Sequence, residues 1–216
     1  MSFRIGRTVF ELSFPLVGIM TAVILLDTSM SVLLCFAAAI MHELGHLAAM
    51  RYYGCIPDRI KLTLFDIAIT DRKKVMRNSS HNLVITLAGV AVNFISAVIC
   101  YIIFSFTGNS VLQQFFASHL TLGLFNSLPV DTLDGGQALL LILTRFFSPD
   151  TSEKILMFLS VMVLIPAACL GFLILLQTKY NFTLLLAALY LTAVILYREK
   201  PRRNHRDSFL NESKIY

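Results

Sequence analysis

The chain has 216 residues, of which 56% are hydrophobic and only 14% are charged. Its mean hydropathy is +0.74, whereas a soluble domain has roughly 25% charged residues. The composition excludes an ordinary soluble protein and predicts one integral membrane domain, residues 1–197, followed by a basic, flexible tail, residues 198–216. The net charge of +5 is interpreted as membrane topology and contact with the lipid bilayer, and not as nucleic-acid binding.

Apolar runs separated by polar segments predict six membrane helices. Stretches in which apolar and polar residues alternate predict short strands at the membrane surface. In chain order, the predicted elements are a strand at 3–12, helices at 14–26 and 30–53, a strand pattern at 60–69, a helix at 82–106, a helical region at 111–147 that is broken midway, and helices at 155–176 and 182–197.

The distribution of Lys and Arg predicts the orientation of these six helices. If the N-terminus is cytosolic, 17 of the 18 basic residues fall in cytosolic segments and only Lys179 falls outside. Cytosolic loops carry the excess of Lys and Arg in membrane proteins. We therefore expect both termini to lie on the cytosolic side. The C-terminal end of the second helix, beyond its two histidines, is expected on the same side.

Residues 37–50 read AAAIMHELGHLAAM and place two histidines and a glutamate inside the second apolar run. Ionisable groups in a membrane are costly unless they are paired or bound to something. His42 and His46 are four residues apart, so a helix stacks their imidazoles on one face, a separation that suits two ligands of one zinc ion. Glu43 lies about 100° round the helix, where it can deprotonate a water molecule at the metal.

A catalytic zinc needs a third protein ligand and one open position. The break in the fourth helical region, FNSLPVDTLDGGQ, offers two carboxylates, Asp131 and Asp134. Pro129 lacks an N–H, and Gly135 and Gly136 loosen the chain, so we expect an unwound segment here. The two glycines let the backbone at Asp134 approach a metal closely, but spacing leaves both carboxylates as candidates.

Two motifs carry a resemblance to a known family. HELGH in an early membrane helix, followed in a later one by Asn-x-x-Pro-x-x-x-x-Asp-Gly at residues 126–135, is similar to the site-2 proteases, which are intramembrane zinc metalloproteases. The resemblance covers nearly the whole chain. It implies an all-α polytopic membrane fold of about six transmembrane helices with short interfacial β-strands and a site-2 protease-like core.

The same resemblance implies the residues of the reaction. His42, His46 and Asp134 would bind Zn²⁺, and Glu43 would be the catalytic base of a zinc endopeptidase. Asp131 is then a carboxylate beside or at the rim of the site, and the ligand role is its alternative.

Two asparagines acquire substrate-binding roles from the resemblance. Asn126 occupies the position of the asparagine that, in the family's motif, is implicated in holding the substrate near the metal. The family pattern Ala-Gly-Pro-x-x-Asn is present at residues 88–93 with Val90 in place of the proline, and it assigns a similar role to Asn93. A second departure is Phe65-Asp66, where relatives often have two glycines.

Size and layout look most similar to the compact sporulation-type branch of the family, which processes membrane-associated pro-sigma factors. The partner expected from this likeness is a membrane-protein substrate such as a pro-sigma or anti-sigma factor, in a prokaryotic inner membrane. A transmembrane substrate must be extended before cleavage, and the predicted strand at 60–70 is expected to pair with it.

Other readings of the same residues concern a different function or a structural role. A metal-binding scaffold without protease activity, or a transporter, would also place histidines in a membrane; a transporter, however, requires polar groups through the whole membrane. Among the remaining histidines, His81 is expected at the membrane interface, His119 in a structural role, and His205 in solvent.

Overall fold

The computed structural model describes residues 2–5, 8–12, 30–55, 59–62, 67–70, 79–178 and 188–193. The described part is mostly helical, and the chain divides into two compact units, Met1–Ser127 and Leu128–Tyr216. The elements are β1 (Ser2–Ile5), β2 (Thr8–Leu12), α1 (Ser31–Tyr52), β3 (Arg59–Leu62), β4 (Ile67–Thr70), α2 (Ser79–Thr107), α3 (Ser110–Asn126), α4 (Asp134–Leu143) and α5 (Pro149–Thr178).

Helix α1 carries the HELGH sequence and ends in a well-defined cap. Gly54 has a positive φ of 67°, a conformation that glycine adopts without a Cβ clash. The N–H of Cys55 donates to the carbonyl of Met50 at 2.8 Å, and that of Gly54 donates to Arg51 at 3.0 Å. This pair of bonds is a Schellman motif, which satisfies carbonyls that the end of a helix leaves without partners.

Helices α2 and α3 form a tight hairpin that packs on α1 within the first unit. Gly108, with φ 63°, ends α2, and the side chain of Asn109 caps α3 by accepting from the N–H of Val111 at 2.9 Å. Such a short connection makes the two helices antiparallel neighbours. Residues near the middle of both helices therefore meet across the hairpin.

The first unit also contains a four-stranded sheet in the order β1-β2-β3-β4. Strands β1 and β2 pair antiparallel, β2 and β3 parallel, and β3 and β4 antiparallel. The strand expected at 3–12 is thus two paired strands, and the segment 59–70 also contains two. A hairpin pairs backbone groups that a single extended strand leaves unsatisfied.

The sheet order narrows the expected site of substrate pairing, residues 60–70, to the part of that segment that lies at a sheet edge. Strand β3 already has a neighbour on each side, so its backbone hydrogen bonds are used within the sheet. Among the described strands, β1 and β4 are the two edges. Residues 63–66, which include the departure at Phe65-Asp66, lie outside the described residues.

In the second unit, α4 begins directly after an irregular segment. The predicted helix break lies at 127–133, between the end of α3 and the start of α4. Gly135 and Gly136 belong to α4, so the expectation that they loosen the chain was wrong. A Cβ on Gly136 would overlap the carbonyl of Val130. The glycine therefore serves a close approach of backbone to backbone.

Three described helices are long and apolar enough to cross a membrane: Ser31–Tyr52, Ser79–Thr107 and Pro149–Leu173. These spans indicate an integral membrane protein, and six spans remain a prediction. The expected first helix at 14–26, the tail 198–216 and His205 lie outside the described residues. Of the expected sixth helix, residues 188–193 are described and are helical.

Candidate metal centre

The two histidines of α1 face each other at a distance that suits a shared metal. Their Nε2 atoms are 3.1 Å apart, and the imidazole planes are nearly perpendicular, with ring centroids separated by 4.8 Å. Both side chains are buried, His42 at 5% and His46 at 9% exposure. Two nitrogen ligands at about 2.0–2.1 Å from a tetrahedral zinc lie roughly 3.3 Å from each other. The donor atoms therefore fit zinc.

The backbone of α2 leaves room for this pair. A Cβ added to Gly89 would lie 2.8 Å from Cε1 and Nε2 of His42, and closer still to Nε2 of His46. Any larger residue at this position would occupy the space beside both donor atoms. On α1, Gly45 approaches α2 similarly, since its Cβ would be 2.9 Å from the carbonyl oxygen of Ala88. Small residues thus bring α1 and α2 together at the histidines.

The other ring nitrogen of each histidine is held by α2. Nδ1 of His46 lies 2.8 Å from the carbonyl oxygen of Ile85. A carbonyl only accepts, so His46 carries its proton on Nδ1 and directs the lone pair of Nε2 toward His42. Nδ1 of His42 lies 2.9 Å from the side-chain nitrogen of Asn93. That amide nitrogen donates, so Nδ1 of His42 accepts in this orientation of Asn93. Nε2 of His46 is available as a metal-binding atom, and Nε2 of His42 becomes available when the Asn93 amide rotates to present its oxygen to Nδ1.

A third histidine belongs to this network. His119 on α3 is completely buried, and its Nδ1 lies 3.1 Å from the side-chain oxygen of Asn93. From the sequence, His119 is expected in a structural role, because 15 residues of one continuous helix would separate it from Asp134 by roughly 20 Å. The helix breaks after residue 126, and packing of α3 on α2 connects His119 to His42 through one asparagine. No signal in the sequence indicates this contact.

The remaining expected residues of the first unit occupy different positions. Glu43 is half-buried, one residue after His42 on α1. Asn126, at the last position of α3, donates to the carbonyl of Leu122 at 3.1 Å. His81 is exposed at the start of α2 and stacks on Tyr53, with ring centroids 4.3 Å apart.

The two aspartates lie in the second unit. Asp134 is half-buried at the first position of α4, where the helix dipole favours a negative charge. Asp131 belongs to the preceding irregular segment. Its N–H donates to Ser160 Oγ at 3.0 Å, and its carbonyl accepts from the side chain of Gln137 at 2.6 Å. The side chain of Asp131 therefore extends from a firmly held backbone.

Known proteins resemble the chain in both sequence and fold. A zinc metalloprotease of Methanocaldococcus jannaschii is 31% identical over 129 residues, which are 57% of this chain. The match spans 37% of that relative's length. A solved structure, a site-2 protease from the same organism, aligns with a TM-score of 0.60 and 24% identity over 88% of this chain and 92% of the other. No protein-family model matches the chain.

The chain has the site-2 protease fold. The structural likeness extends over nearly all of both chains, and the sequence likeness is to a zinc metalloprotease. The resemblance predicted from HELGH and the later Asn-Pro-Asp-Gly pattern is therefore confirmed. The sporulation-type branch is a finer assignment that these relatives leave as a prediction.

Proposed function

We propose that the protein is an intramembrane zinc endopeptidase that hydrolyses a peptide bond in or near a transmembrane segment of a membrane-associated substrate. The observation that carries this proposal is the buried His42–His46 pair, with its Nε2 atoms 3.1 Å apart on a helix long and apolar enough to span a membrane. Two buried imidazole nitrogens at this distance require a cation or a proton between them. The likeness to a zinc metalloprotease favours zinc.

The ligand set that we propose is His42, His46 and Asp134, each of which offers one ligand atom of a kind that zinc binds. Asp131 is the alternative third ligand. Its backbone is held by Ser160 and Gln137, and we assign it to the rim of the site.

Each catalytic step is assigned to a residue of the chain. Zinc, when bound, supplies a Lewis acid that acidifies water and polarises the scissile carbonyl. Glu43 takes the proton from the attacking water and delivers it to the leaving amine. Its position next to His42 in the sequence is half-buried, so part of the residue is accessible to solvent. Asn126 is proposed to hold the substrate backbone.

For the finer topology, we propose six transmembrane helices with cytosolic termini in a prokaryotic inner membrane, and the sheet at the cytosolic surface. His46 is six residues, or roughly 9 Å, from Tyr52 at the end of α1, so water has a short path from that side. A pro-sigma or anti-sigma factor is the proposed substrate class.

An extended substrate is proposed to add to the sheet at the edge strand β4, which has β3 as its only neighbour among the described strands. Successive N–H groups of a strand point to opposite sides, so Ala68→Pro and Ile69→Pro remove donors on opposite edges. We expect the variant that removes the outward donor to keep zinc and lose cleavage. Equal cleavage by wild type and both variants would exclude pairing at β4.

A metal-binding scaffold or a transporter is less favoured. Glu43 is the residue that a protease needs and a scaffold does not. The likeness to a zinc metalloprotease further supports the enzymatic function.

The proposal is tested by the zinc content of the detergent-purified protein and by cleavage of membrane-protein substrates. We expect one zinc per chain in wild type and in Asp131→Ala, and little in His46→Ala or Asp134→Ala. Zinc lost from Asp131→Ala but retained in Asp134→Ala would exchange the roles of the two aspartates. Absence of zinc from wild type after purification with excess metal would support the scaffold function.

A further inference from the structure

Two buried polar residues lie beside the metal centre: Asn93, for which the resemblance implies a substrate-binding role, and His119, which has no role in the proposed reaction. Asn93 and His119 are both completely buried, at 0% exposure. With His42 they form a hydrogen-bonded chain, which we call the asparagine bridge: His42 Nδ1 to the Asn93 amide at 2.9 Å, and the amide to His119 Nδ1 at 3.1 Å. Its three members come from α1, α2 and α3, so packing of the first unit assembles it.

The bridge is tightly enclosed. Gly123, one turn after His119 on α3, has its Cβ position only 3.3 Å from the Cβ of Asn93. The ring of Phe115, one turn earlier, lies with its centroid 4.4 Å from that of His119. Asn93 therefore has little freedom other than rotation of its amide, which exchanges Oδ1 and Nδ2 at nearly the same positions.

In the structure, Nδ2 of Asn93 lies toward His42 and Oδ1 toward His119. Zinc binding requires the rotated orientation of the amide. When His42 binds zinc through Nε2, the proton of its neutral imidazole must be on Nδ1. Nδ1–H is a donor, so Asn93 must present Oδ1 to it. The amide then directs Nδ2 at His119, and Nδ1 of His119 must accept. The proton of His119 is consequently on Nε2.

We propose that His119 is a positioning residue for the metal centre: by accepting from Asn93, it holds the asparagine oxygen on His42 and thereby keeps Nε2 of His42 free to bind zinc. The inference rests on the proposed zinc function and adds residues to it. Nδ1 of His119 is the acceptor that the amide nitrogen of Asn93 needs in this orientation.

One further observation supports the assignment. Nε2 of His119 has no hydrogen-bond partner among the described residues. A buried polar atom without a partner is unfavourable, and an apolar side chain at this position would avoid it. A histidine that serves only to fill space is therefore a poor choice, whereas a histidine whose Nδ1 orients Asn93 explains the arrangement.

Nitrogen NMR of the histidine rings in the full-length, zinc-loaded protein tests the bridge directly. The chain has five histidines, and the spectrum of His119→Asn assigns the signals of His119 by their loss. We expect His119 to be neutral with its proton on Nε2, and His42 to carry its proton on Nδ1. A proton on Nδ1 of His119, or on both of its nitrogens, would overturn the proposal.

Zinc affinity, measured by competition with a chelator, supplies a second readout. His119→Leu fills the volume but removes the acceptor, so we expect zinc affinity to fall about 10–100-fold. His119→Asn can place its side-chain oxygen where Nδ1 lies, and we expect affinity near that of wild type. Ser118→Ala, the neighbouring position on α3, is the matched control and should leave affinity unchanged.

The outcomes separate the bridge from the proposed function. Equal affinities in the leucine and asparagine variants would show a packing role and overturn the bridge, while zinc in wild type would still support the protease. Absence of zinc from wild type would overturn both proposals.

Discussion

The histidine pair and the segment around Asp134 are held in different ways. His46 and His42 bond to residues 39 and 51 positions away in the sequence, so their orientation depends on how α1 and α2 pack. The backbone around Asp134 is held mainly by near neighbours, such as the bond from the N–H of Leu133 to Val130 at 2.8 Å. The two imidazoles are thus oriented by tertiary packing, whereas the backbone at Asp134 is oriented mainly by a local turn.

Glu43→Gln is expected to have the largest effect, because it removes the proposed base and leaves both histidines in the sequence. General acid–base catalysis contributes about 10²–10⁴-fold in rate, so we expect cleavage to fall by that factor while zinc stays bound. Cleavage of a membrane substrate and zinc content would be measured on the same samples. The exposed Glu153 on α5 provides the control, Glu153→Gln. Full activity in Glu43→Gln would assign the base elsewhere.

Gly89→Ala tests whether the orientation of the two imidazoles depends on the close packing of α1 and α2. The added methyl group meets both imidazoles, so either α2 moves away from α1 or the rings turn. We expect zinc affinity to fall at least tenfold, as with other contacts that orient metal ligands, as measured by chelator competition. Ala91→Val, at an exposed position on α2, should leave affinity unchanged. Normal affinity in Gly89→Ala would mean that the histidines do not need this close approach.

Ser160→Ala tests the hydrogen bond that links the segment before Asp134 to a residue 29 positions away from Asp131. We expect it to have the smallest effect of the three substitutions. Ser160 is completely buried, and its hydroxyl accepts from the N–H of Asp131. Leaving that N–H without a partner costs about 1–3 kcal/mol, which thermal unfolding in detergent would detect. Ser105→Ala removes an exposed hydroxyl that donates to its own helix at Ile102. If both variants unfold alike, Ser160 does not stabilise the turn.

Much of the fold follows from patterns that a sequence displays. The second predicted helix, 30–53, agrees closely with α1 at Ser31–Tyr52, because a long apolar run and a terminal glycine are local signals. The strand segments were placed correctly but were not divided into strands. Hairpin formation depends on pairing partners, and alternation alone does not reveal them.

The spacing of His42 and His46 was sufficient to predict that their imidazoles meet on one face of a helix, because helix geometry is local and repeats every 3.6 residues. Only the tertiary structure assigned the residues that orient them. Gly89 approaches both imidazoles, and Asn93 and His119 are linked although 26 positions separate them. A buried hydrogen bond between two helices requires that both helices be packed in one register, and sequence spacing holds no information about that register.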